Sequence, residues 1–311
     1  RQTCAKSDCS VFLVFILYLY PMANPWIVGA RPKTLPAVIS PVLLGVCFGA
    51  KDKSHLNWIN LLLVFIIGLG LQIAVNYAND YSDGIKGTDE ERVGPTRLVA
   101  SGLATPSAVK KAAQITYLIG AIFGLALALR TNPLLILIGA IAIVAAWFYT
   151  GGKRPYGYKG LGEISVFIFF GLVATLGTYY TESGKLTLWA LALAVEMGFL
   201  SCAILAVNNL RDLPKDALVG KHTLAVRLGD KRARHFLITL IVLPLLIQCA
   251  FIYITYLTLL SLLVIPSVAK IIRTIRRGAV NAELIPALGA VAKLQSSLTL
   301  WIVIALVLGK P

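Results

Sequence analysis

Nine long apolar runs fill most of this chain of 311 residues, and they constrain its fold more than any other feature. The runs cover residues 34–50, 57–78, 112–129, 133–150, 162–181, 187–207, 236–257, 259–275 and 291–309. A helix needs roughly 17 to 25 apolar residues to cross a bilayer, and helices satisfy their backbone polar groups internally in lipid. The pattern therefore predicts an all-α, polytopic membrane helical bundle with about nine transmembrane helices.

The composition and charge agree with this fold class. Of all residues 58% are hydrophobic and only 14% are charged, which is outside the range of soluble domains. The net charge is +15, but the basic residues lie in loops and form no compact hydrophilic domain, so a nucleic-acid-binding protein is a poor interpretation. Most of the 29 Lys and Arg residues follow the second, fourth, sixth and eighth runs. The positive-inside rule therefore predicts that these loops face the cytoplasm, in a multi-pass protein of the cell inner or plasma membrane.

The chain reads as one domain. No Gly/Ser-rich linker divides it, so we expect a single membrane-embedded domain over residues 22–311. Residues 1–21 begin with Arg1 and precede Met22, and we interpret them as a doubtful N-terminal extension. The five Cys residues show no paired spacing, which indicates neither a disulfide framework nor a zinc site.

Two copies of one polar pattern stand at the ends of the second and sixth runs. In each copy an Asn is followed four residues later by an Asp, a spacing that places both side chains on one face of a helix. A further carboxylate follows each pair. The six residues are Asn76, Asp80, Asp83, Asn208, Asp212 and Asp216. Carboxylates at a helix C-terminus lie against the negative end of its dipole, so this arrangement favours a compensating cation.

The chemistry of these side chains indicates Mg²⁺. This ion binds hard oxygen ligands and commonly shares its coordination between one or two carboxylates and the phosphates of a substrate. Aspartates from two helices would thus bind a diphosphate through Mg²⁺. The alternative is that the acidic residues only mark the rim of the bundle, where ionisable side chains are common.

Basic residues in the same loops are candidates for direct contact with phosphate oxygens. Arg is able to engage two such oxygens at once. The same residues also have a simpler explanation as determinants of membrane topology. The candidates are Lys86, Arg92, Arg97, Lys153, Arg154, Arg211, Lys221 and Arg227.

A Gly-rich turn after the fourth run carries three tyrosines, Tyr149, Tyr156 and Tyr158, beside Lys153 and Arg154. Backbone N–H groups and cations in such a turn are able to approach an anion, and the aromatic faces would stabilise an allylic carbocation. An interfacial tyrosine belt is the alternative interpretation. Glu196, the acidic residue well inside a run, is assigned no role.

With these residues in view, the chain resembles the UbiA superfamily of membrane prenyltransferases, and within it the 1,4-dihydroxy-2-naphthoate polyprenyltransferase (MenA) branch of menaquinone biosynthesis. The similarity extends from about Trp26 to the end of the chain. It rests on four groups of strings: residues 30–36; 79–83 with 92–95 and 100–102; 149–152 with 155–158; and 208–212 with 220–229.

The resemblance implies nine helices around a central cavity that cytoplasmic loops cap. It implies Mg²⁺ on both Asp motifs, with Asp80 and Asp83 in the first and Asp212 and Asp216 in the second. Asn76 and Asn208 match the amides that precede these motifs. Asp89 lies at a wider spacing than the third carboxylate of many superfamily members, and we assign it no role.

The reaction implied by the resemblance is transfer of a polyprenyl group to the naphthoate, with loss of diphosphate and CO₂, giving a demethylmenaquinol. Mg²⁺ and the basic loops would stabilise the departing diphosphate, and apolar walls would hold the prenyl tail and exclude water. A related enzyme acting on 4-hydroxybenzoate or haem is the alternative within the superfamily. A secondary transporter is the alternative from another class, although its ligands would lie near the bilayer midplane.

Overall fold

The computed structural model describes residues 24–87 and 96–309, and within them every regular element is a helix. We number the α-helices in chain order and include in α6 a π-helical segment, Phe167–Leu176. The helices are α1 (Pro25–Ala30), α2 (Pro36–Lys53), α3 (Trp58–Ile85), α4 (Pro106–Arg130), α5 (Leu134–Thr150), α6 (Gly162–Ser183), α7 (Leu188–Leu218), α8 (Leu224–Ala250), α9 (Ile265–Arg276) and α10 (Ile285–Leu308). Short 3₁₀ segments lie between several of them, at Pro32–Thr34, Tyr156–Lys159, Phe251–Tyr253, Tyr256–Val264 and Asn281–Leu284.

Seven helices in the described ranges are long and apolar enough to cross a membrane. They are Trp58–Ile85, Pro106–Arg130, Gly162–Ser183, Leu188–Leu218, Leu224–Tyr253, Tyr256–Arg276 and Asn281–Leu308. Helix α5 is apolar but has 17 residues, and α2 has 18 residues that end on Lys51, Asp52 and Lys53. The predicted all-helical membrane bundle is confirmed, whereas the count of about nine spans stays a prediction.

Polar side chains determine where several helices begin. Asn57 accepts hydrogen bonds from two backbone N–H groups at the start of α3. Thr105, Thr187 and Thr223 do the same for one N–H each at the starts of α4, α7 and α8. These caps satisfy N–H groups that have no partner within the helix. They place the helix starts at the polar segments between the apolar runs.

Helices α3 and α7 continue beyond the apolar runs that predict them. Helix α3 ends at Ile85 and α7 at Leu218, whereas the corresponding runs end at residues 78 and 207. An apolar run stops at the first polar side chains, but the backbone hydrogen bonding of the helix does not depend on them. Both Asn/Asp patterns therefore lie within the last turns of helices, as their spacing predicts.

Helix α7 is the central helix of the bundle. In its most apolar stretch 67% of residues are buried, against 28 to 44% in the other six candidate spans. It packs mainly on α8 and α6, while α3 packs mainly on α4. The largest apolar core surrounds α7 and includes Leu193, Met197 and Leu200. The two polar patterns thus come from two separately packed parts of the bundle.

Close glycine contacts hold α6 against its neighbours. A Cβ atom added to Gly171 would lie 2.5 Å from the Cα of Gly198 in α7, and one added to Gly45 in α2 would lie 2.0 Å from the Oγ1 of Thr178. Small residues at such crossings let helix backbones approach closely, which is a common basis of packing in membranes. Gly171 lies in the π-helical segment.

Candidate active site

Asp80, at the C-terminal end of α3, holds the segment that follows the undescribed residues 88–95. It is wholly buried, and its two oxygens accept hydrogen bonds from the backbone N–H groups of Leu98 (2.8 Å) and Val99 (3.0 Å). The Nη2 atom of Arg31 lies 4.0 Å from the same carboxylate. Each oxygen keeps a further lone pair for another ligand. Asp80 therefore anchors a loop in addition to its predicted metal-binding role.

Asn76, one turn before Asp80, faces the N-terminal segment of the described chain. Its amide nitrogen donates to the carbonyl oxygen of Ala30 (2.8 Å) and to the hydroxyl of Thr34 (3.1 Å). These bonds bring Arg31, which lies between the two acceptors in sequence, to the end of α3. The sequence indicates Arg31 only as part of the string of residues 30–36, and the structure adds it to the candidate site.

Asp83 is the meeting point of several polar groups. The hydroxyl of Tyr158 donates to its carboxylate, at 2.5 Å. Two cations stand nearby, with the Nζ of Lys221 at 3.7 Å and the Nη2 of Arg97 at 4.0 Å. Both distances exceed hydrogen-bond length, and both are within the range of an ion pair. Asp83 is almost completely buried.

Two lysines lie over the ring of Tyr158. The Nζ of Lys221 is 4.6 Å from the ring centre and that of Lys86 is 5.1 Å away. Lys86 also donates to the backbone carbonyl of Thr150. Burial lowers the pKa of Lys86 below its usual value; the charge of Lys221 lowers it further, and that of Asp83 opposes the shift. The aromatic face stabilises the two ammonium groups close together.

The second pattern, on α7, meets the first through Lys221. The backbone N–H of Lys221 donates to the carbonyl of Asp216 (2.8 Å), while its ammonium group reaches Asp83 on α3. Within the pattern, Arg211 makes a two-pronged contact with Asp212, at 2.7 and 2.8 Å. The amide nitrogen of Asn208 donates to a carbonyl of its own helix, that of Ile204, at 3.3 Å.

The tyrosine-rich turn lies beside both patterns. Tyr149 packs edge-on against Tyr156, with ring centres 5.6 Å apart, and it lies close enough to Asp83 and Asp216 for their charges to affect its hydroxyl. The hydroxyl of Tyr156 donates to the carbonyl of Ala145 and forms a second hydrogen bond with the hydroxyl of Ser165, each at 2.9 Å. Burial raises the pKa of Tyr156, and the Ser165 hydrogen bond opposes that shift. Tyr149 and Tyr158 therefore border the site, and Tyr156 packs against the ring of Tyr149.

Four of the predicted phosphate contacts lie away from this cluster or outside the described residues. Lys153 and Arg154 are exposed on the tyrosine-rich turn. Arg92 falls in residues 88–95, outside the described residues, as does Asp89. Arg227 packs along Gly160 and donates to the carbonyl of His222 (3.2 Å). The remaining candidates, Lys86, Arg97, Lys221 and Arg211, lie at the Asp patterns.

The donor set suits Mg²⁺, but the four aspartates do not form one preassembled ligand shell. Among the residues that the structure describes, no group of three or more His, Cys, Asp or Glu side chains stands close enough to hold a metal ion. Asp80, Asp83 and Asp212 instead contact Arg31, Lys221 and Arg211. Because cations already neutralise these carboxylates at the two helix ends, we expect the metal to bind together with an anionic substrate and not alone.

Glu163, at the start of α6, is a site residue to which the sequence analysis gave no role. It accepts a hydrogen bond from Asn209, which lies inside the second Asn/Asp pattern (2.8 Å). In the sequence, the feature that could have indicated Glu163 is its position directly after the tyrosine-rich turn.

A cavity of about 480 Å³ lies away from the candidate site, at the C-terminal ends of α2 and α10. Its lining includes Cys47, Lys51 and Leu306.

Comparison with known proteins agrees with this architecture. Residues 38–283 match the UbiA prenyltransferase family. The chain is 48% identical over 264 residues to 1,4-dihydroxy-2-naphthoate octaprenyltransferase of Mycobacterium tuberculosis (strain ATCC 25618 / H37Rv), covering 85% of this chain and 90% of that protein. It is 39% identical over 218 residues to the enzyme of the same name from Escherichia coli (strain K12), covering 68% of this chain and 70% of that protein.

Solved structures share the fold. A UbiA homologue from Archaeoglobus fulgidus bound to GPP and Mg²⁺ superposes with a TM-score of 0.67 at 15% identity, covering 90% of this chain and 99% of that one. The same homologue bound to DMAPP and Mg²⁺ gives a TM-score of 0.66 at 14% identity, covering 91% and 98%. The superfamily resemblance predicted from the sequence motifs is confirmed: the chain belongs to the UbiA prenyltransferase family.

Proposed function

We propose that this protein transfers a polyprenyl group from a polyprenyl diphosphate to 1,4-dihydroxy-2-naphthoate, with loss of CO₂ and diphosphate, giving a demethylmenaquinol. Relatives that match 85% of the chain carry this acceptor in their names. The structural observation that carries the proposal is the position of Lys221. Its backbone N–H donates a hydrogen bond to the carbonyl of Asp216, and its ammonium group lies 3.7 Å from the carboxylate of Asp83. The two Asp motifs are therefore close enough for one substrate to contact both.

Mg²⁺ is the proposed cofactor, held by Asp80, Asp83, Asp212 and Asp216. A family member of the same fold was solved with GPP and Mg²⁺. When bound, the ion neutralises the diphosphate and makes it a better leaving group. Asn76 and Asn208 would contribute only their amide oxygens, because their amide nitrogens already donate to protein carbonyls.

The basic side chains around Asp83 stabilise the charge that develops as the C–O bond of the prenyl diphosphate breaks. Lys86, Lys221 and Arg97 already lie there, and Arg31 lies beside Asp80. Prealigned cations in a buried site stabilise such charge more strongly than water does. The further proposed diphosphate contacts are Arg211, which is held by Asp212, the exposed pair Lys153 and Arg154, and Arg92.

The tyrosines stabilise the allylic carbon and shield it from water. Tyr149 and Tyr158 present aromatic rings next to the carboxylates and lysines, and an aromatic face attracts a cation. Tyr156 holds Tyr149 in place through their edge-on contact. Together the three residues form the proposed wall between the diphosphate and the aromatic acceptor.

We also propose one domain over residues 22–311, with the active site facing the cytoplasm. The Lys and Arg residues of the site belong to the positively charged loops, and the positive-inside rule places such loops on the cytoplasmic side of the membrane. The proposed partners are the two substrates and the lipid bilayer, with no nucleic acid. A secondary transporter has less support, because the charged cluster lies at the ends of α3 and α7 and not at their centres.

The test is a reaction with membranes that contain the protein, a polyprenyl diphosphate, Mg²⁺ and each aromatic acid in turn. We expect prenylated product and CO₂ with the dihydroxynaphthoate, and neither after Asp83→Ala or Asp212→Ala. A preference for 4-hydroxybenzoate would reject the proposed acceptor while keeping the enzyme class. Solute transport without prenyl diphosphate would reject the class itself.

A further inference from the structure

Glu163 is a buried carboxylate of which only one oxygen is satisfied. Its side chain lies at the start of α6, and the residue is 5% exposed. The Oε1 atom accepts a hydrogen bond from the amide of Asn209 on α7, at 2.8 Å. The Oε2 atom is buried and has no hydrogen-bond partner in the part of the chain that the structure describes. Such an oxygen is costly to keep in a folded protein, so it requires an explanation.

The position of Glu163 relates it to the active site. The neighbouring Gly162 packs against Tyr149: a Cβ added there would lie 3.0 Å from the tyrosine hydroxyl. Tyr149 lies close enough to Glu163, Asp83 and Asp216 for their charges to affect its hydroxyl. Glu163 therefore lies near Tyr149 and the two Asp motifs, although it belongs to neither motif.

The surroundings of Glu163 differ from those of the aspartates. Asp83 and Asp212 have Lys or Arg side chains within 4.0 Å. The hydrogen-bond partner of Glu163 is the neutral amide of Asn209, and within the described residues it forms no ion pair. A carboxylate without a cation repels a diphosphate, and it binds a hydroxyl donor well.

We propose that the Oε2 atom of Glu163 accepts a hydrogen bond from a phenolic hydroxyl of the aromatic acceptor, while Asn209 holds the carboxylate in position. This inference rests on the proposed function. It divides the site into two parts: cations and aspartates bind the diphosphate, and Glu163 binds the acceptor. Asn209 lies between Asn208 and Asp212. The same turns of α7 therefore hold Glu163 in position and carry the second Asp motif.

The test is the kinetic behaviour of Glu163→Gln in detergent-solubilised protein. The new amide keeps an oxygen for Asn209 but places an N–H₂ group where the free oxygen lies, so it meets the acceptor hydroxyl with a donor. We expect the KM for 1,4-dihydroxy-2-naphthoate to rise at least tenfold and the KM for the prenyl diphosphate to stay within about twofold. An unchanged acceptor KM, or an equal rise in both KM values, would overturn the inference.

A matched control is Glu196→Gln. Glu196 is also a buried carboxylate that receives a hydrogen bond from an amide, that of Gln248, and it lies in the N-terminal half of α7. This control should leave the acceptor KM unchanged; a rise as large as that of Glu163→Gln would mean that the effect comes from loss of any buried carboxylate. If Glu163→Gln does not fold, Glu163→Asp serves as a second variant, with the same criteria.

A second measurement uses the binding of acceptor analogues in the absence of prenyl diphosphate, followed by tryptophan fluorescence. The wild-type protein should bind 1,4-dihydroxy-2-naphthoate at least tenfold more tightly than 2-naphthoate, and Glu163→Gln should lose most of that difference. Equal discrimination by both proteins would contradict the inference. The proposed function fails separately, if the wild-type protein does not prenylate the dihydroxynaphthoate at all.

Discussion

Substitution of Asp80 by Asn separates two roles that the aspartate has in this account. One role is to hold the loop at Leu98 and Val99, through two backbone hydrogen bonds. The other is the proposed binding of Mg²⁺. An asparagine keeps one acceptor oxygen, but its N–H₂ group would face the second backbone N–H. The loop role therefore predicts a loss of stability even when no metal is present.

The size of that loss follows from the buried geometry. A hydrogen bond to a charged group contributes about 1.5 to 3 kcal/mol, and leaving a buried donor unsatisfied adds a cost of similar size. Asp80 is fully buried, so solvent does not screen these contacts. The Asn variant loses one such bond and leaves one N–H without an acceptor. We expect the free energy of unfolding to fall by about 3 kcal/mol.

The assay is unfolding of the purified protein in detergent with excess chelator, together with trypsin digestion and mass spectrometry. Release of the loop would expose the peptide bond after the buried Arg97, and cleavage there should become fast. Asp83→Asn is the matched control, since an amide oxygen is still able to accept the hydroxyl of Tyr158 and both backbone hydrogen bonds of Asp80 stay in place. This variant removes a charge 4.0 Å from Arg97, so its effect on the loop should be smaller than that of Asp80→Asn. If Asp80→Asn unfolds like the wild-type protein and the bond after Arg97 stays resistant, the loop-anchoring role is refuted.

Two further predictions concern packing and pH. In Gly171→Ala the new Cβ would lie 2.5 Å from the Cα of Gly198, so α6 and α7 must separate and the free energy of unfolding should fall by about 1 to 3 kcal/mol. The control is Gly124→Ala, where nothing lies within 4 Å of the new Cβ and the free energy of unfolding should stay unchanged. Equal stability of the two variants would contradict the packing account. Because burial lowers the pKa of Lys86, its charge is lost at a lower pH than that of an ordinary lysine, and the KM for prenyl diphosphate should rise as the pH increases through that pKa. In Lys86→Arg, which keeps its charge, this rise should move to higher pH, and identical pH profiles of KM would count against a diphosphate contact by Lys86.

The sequence predicted the helices better than their ends. Apolar composition located α3 and α7, because lipid requires long apolar helices. It placed their ends too early, because the Asn and Asp side chains are polar although the backbone remains helical. The spacing of four residues correctly put Asn76 and Asp80 on a helix. It did not reveal what that face meets, since Ala30, Leu98 and Val99 come from distant segments of the chain.

The same limit explains which site residues were missed. Arg31 and Glu163 are brought to the site by contacts with Asn76 and Asn209, and such contacts depend on packing that spacing along one helix does not encode. The link between the two motifs was expected only as a shared metal. The structure adds a direct connection through Lys221, which stands five residues after Asp216 and reaches Asp83.

The central claim is that the two Asp motifs together bind one Mg²⁺-dependent diphosphate. Its most direct test measures the binding of a non-reactive prenyl diphosphate analogue, with and without Mg²⁺, to the wild-type protein, Asp83→Asn, Asp216→Asn and the double variant. We predict that each single variant loses at least tenfold in Mg²⁺-dependent affinity and that the double variant loses little more than either, because coupled residues are not additive. Losses that simply multiply, or full affinity in Asp216→Asn, would contradict the claim.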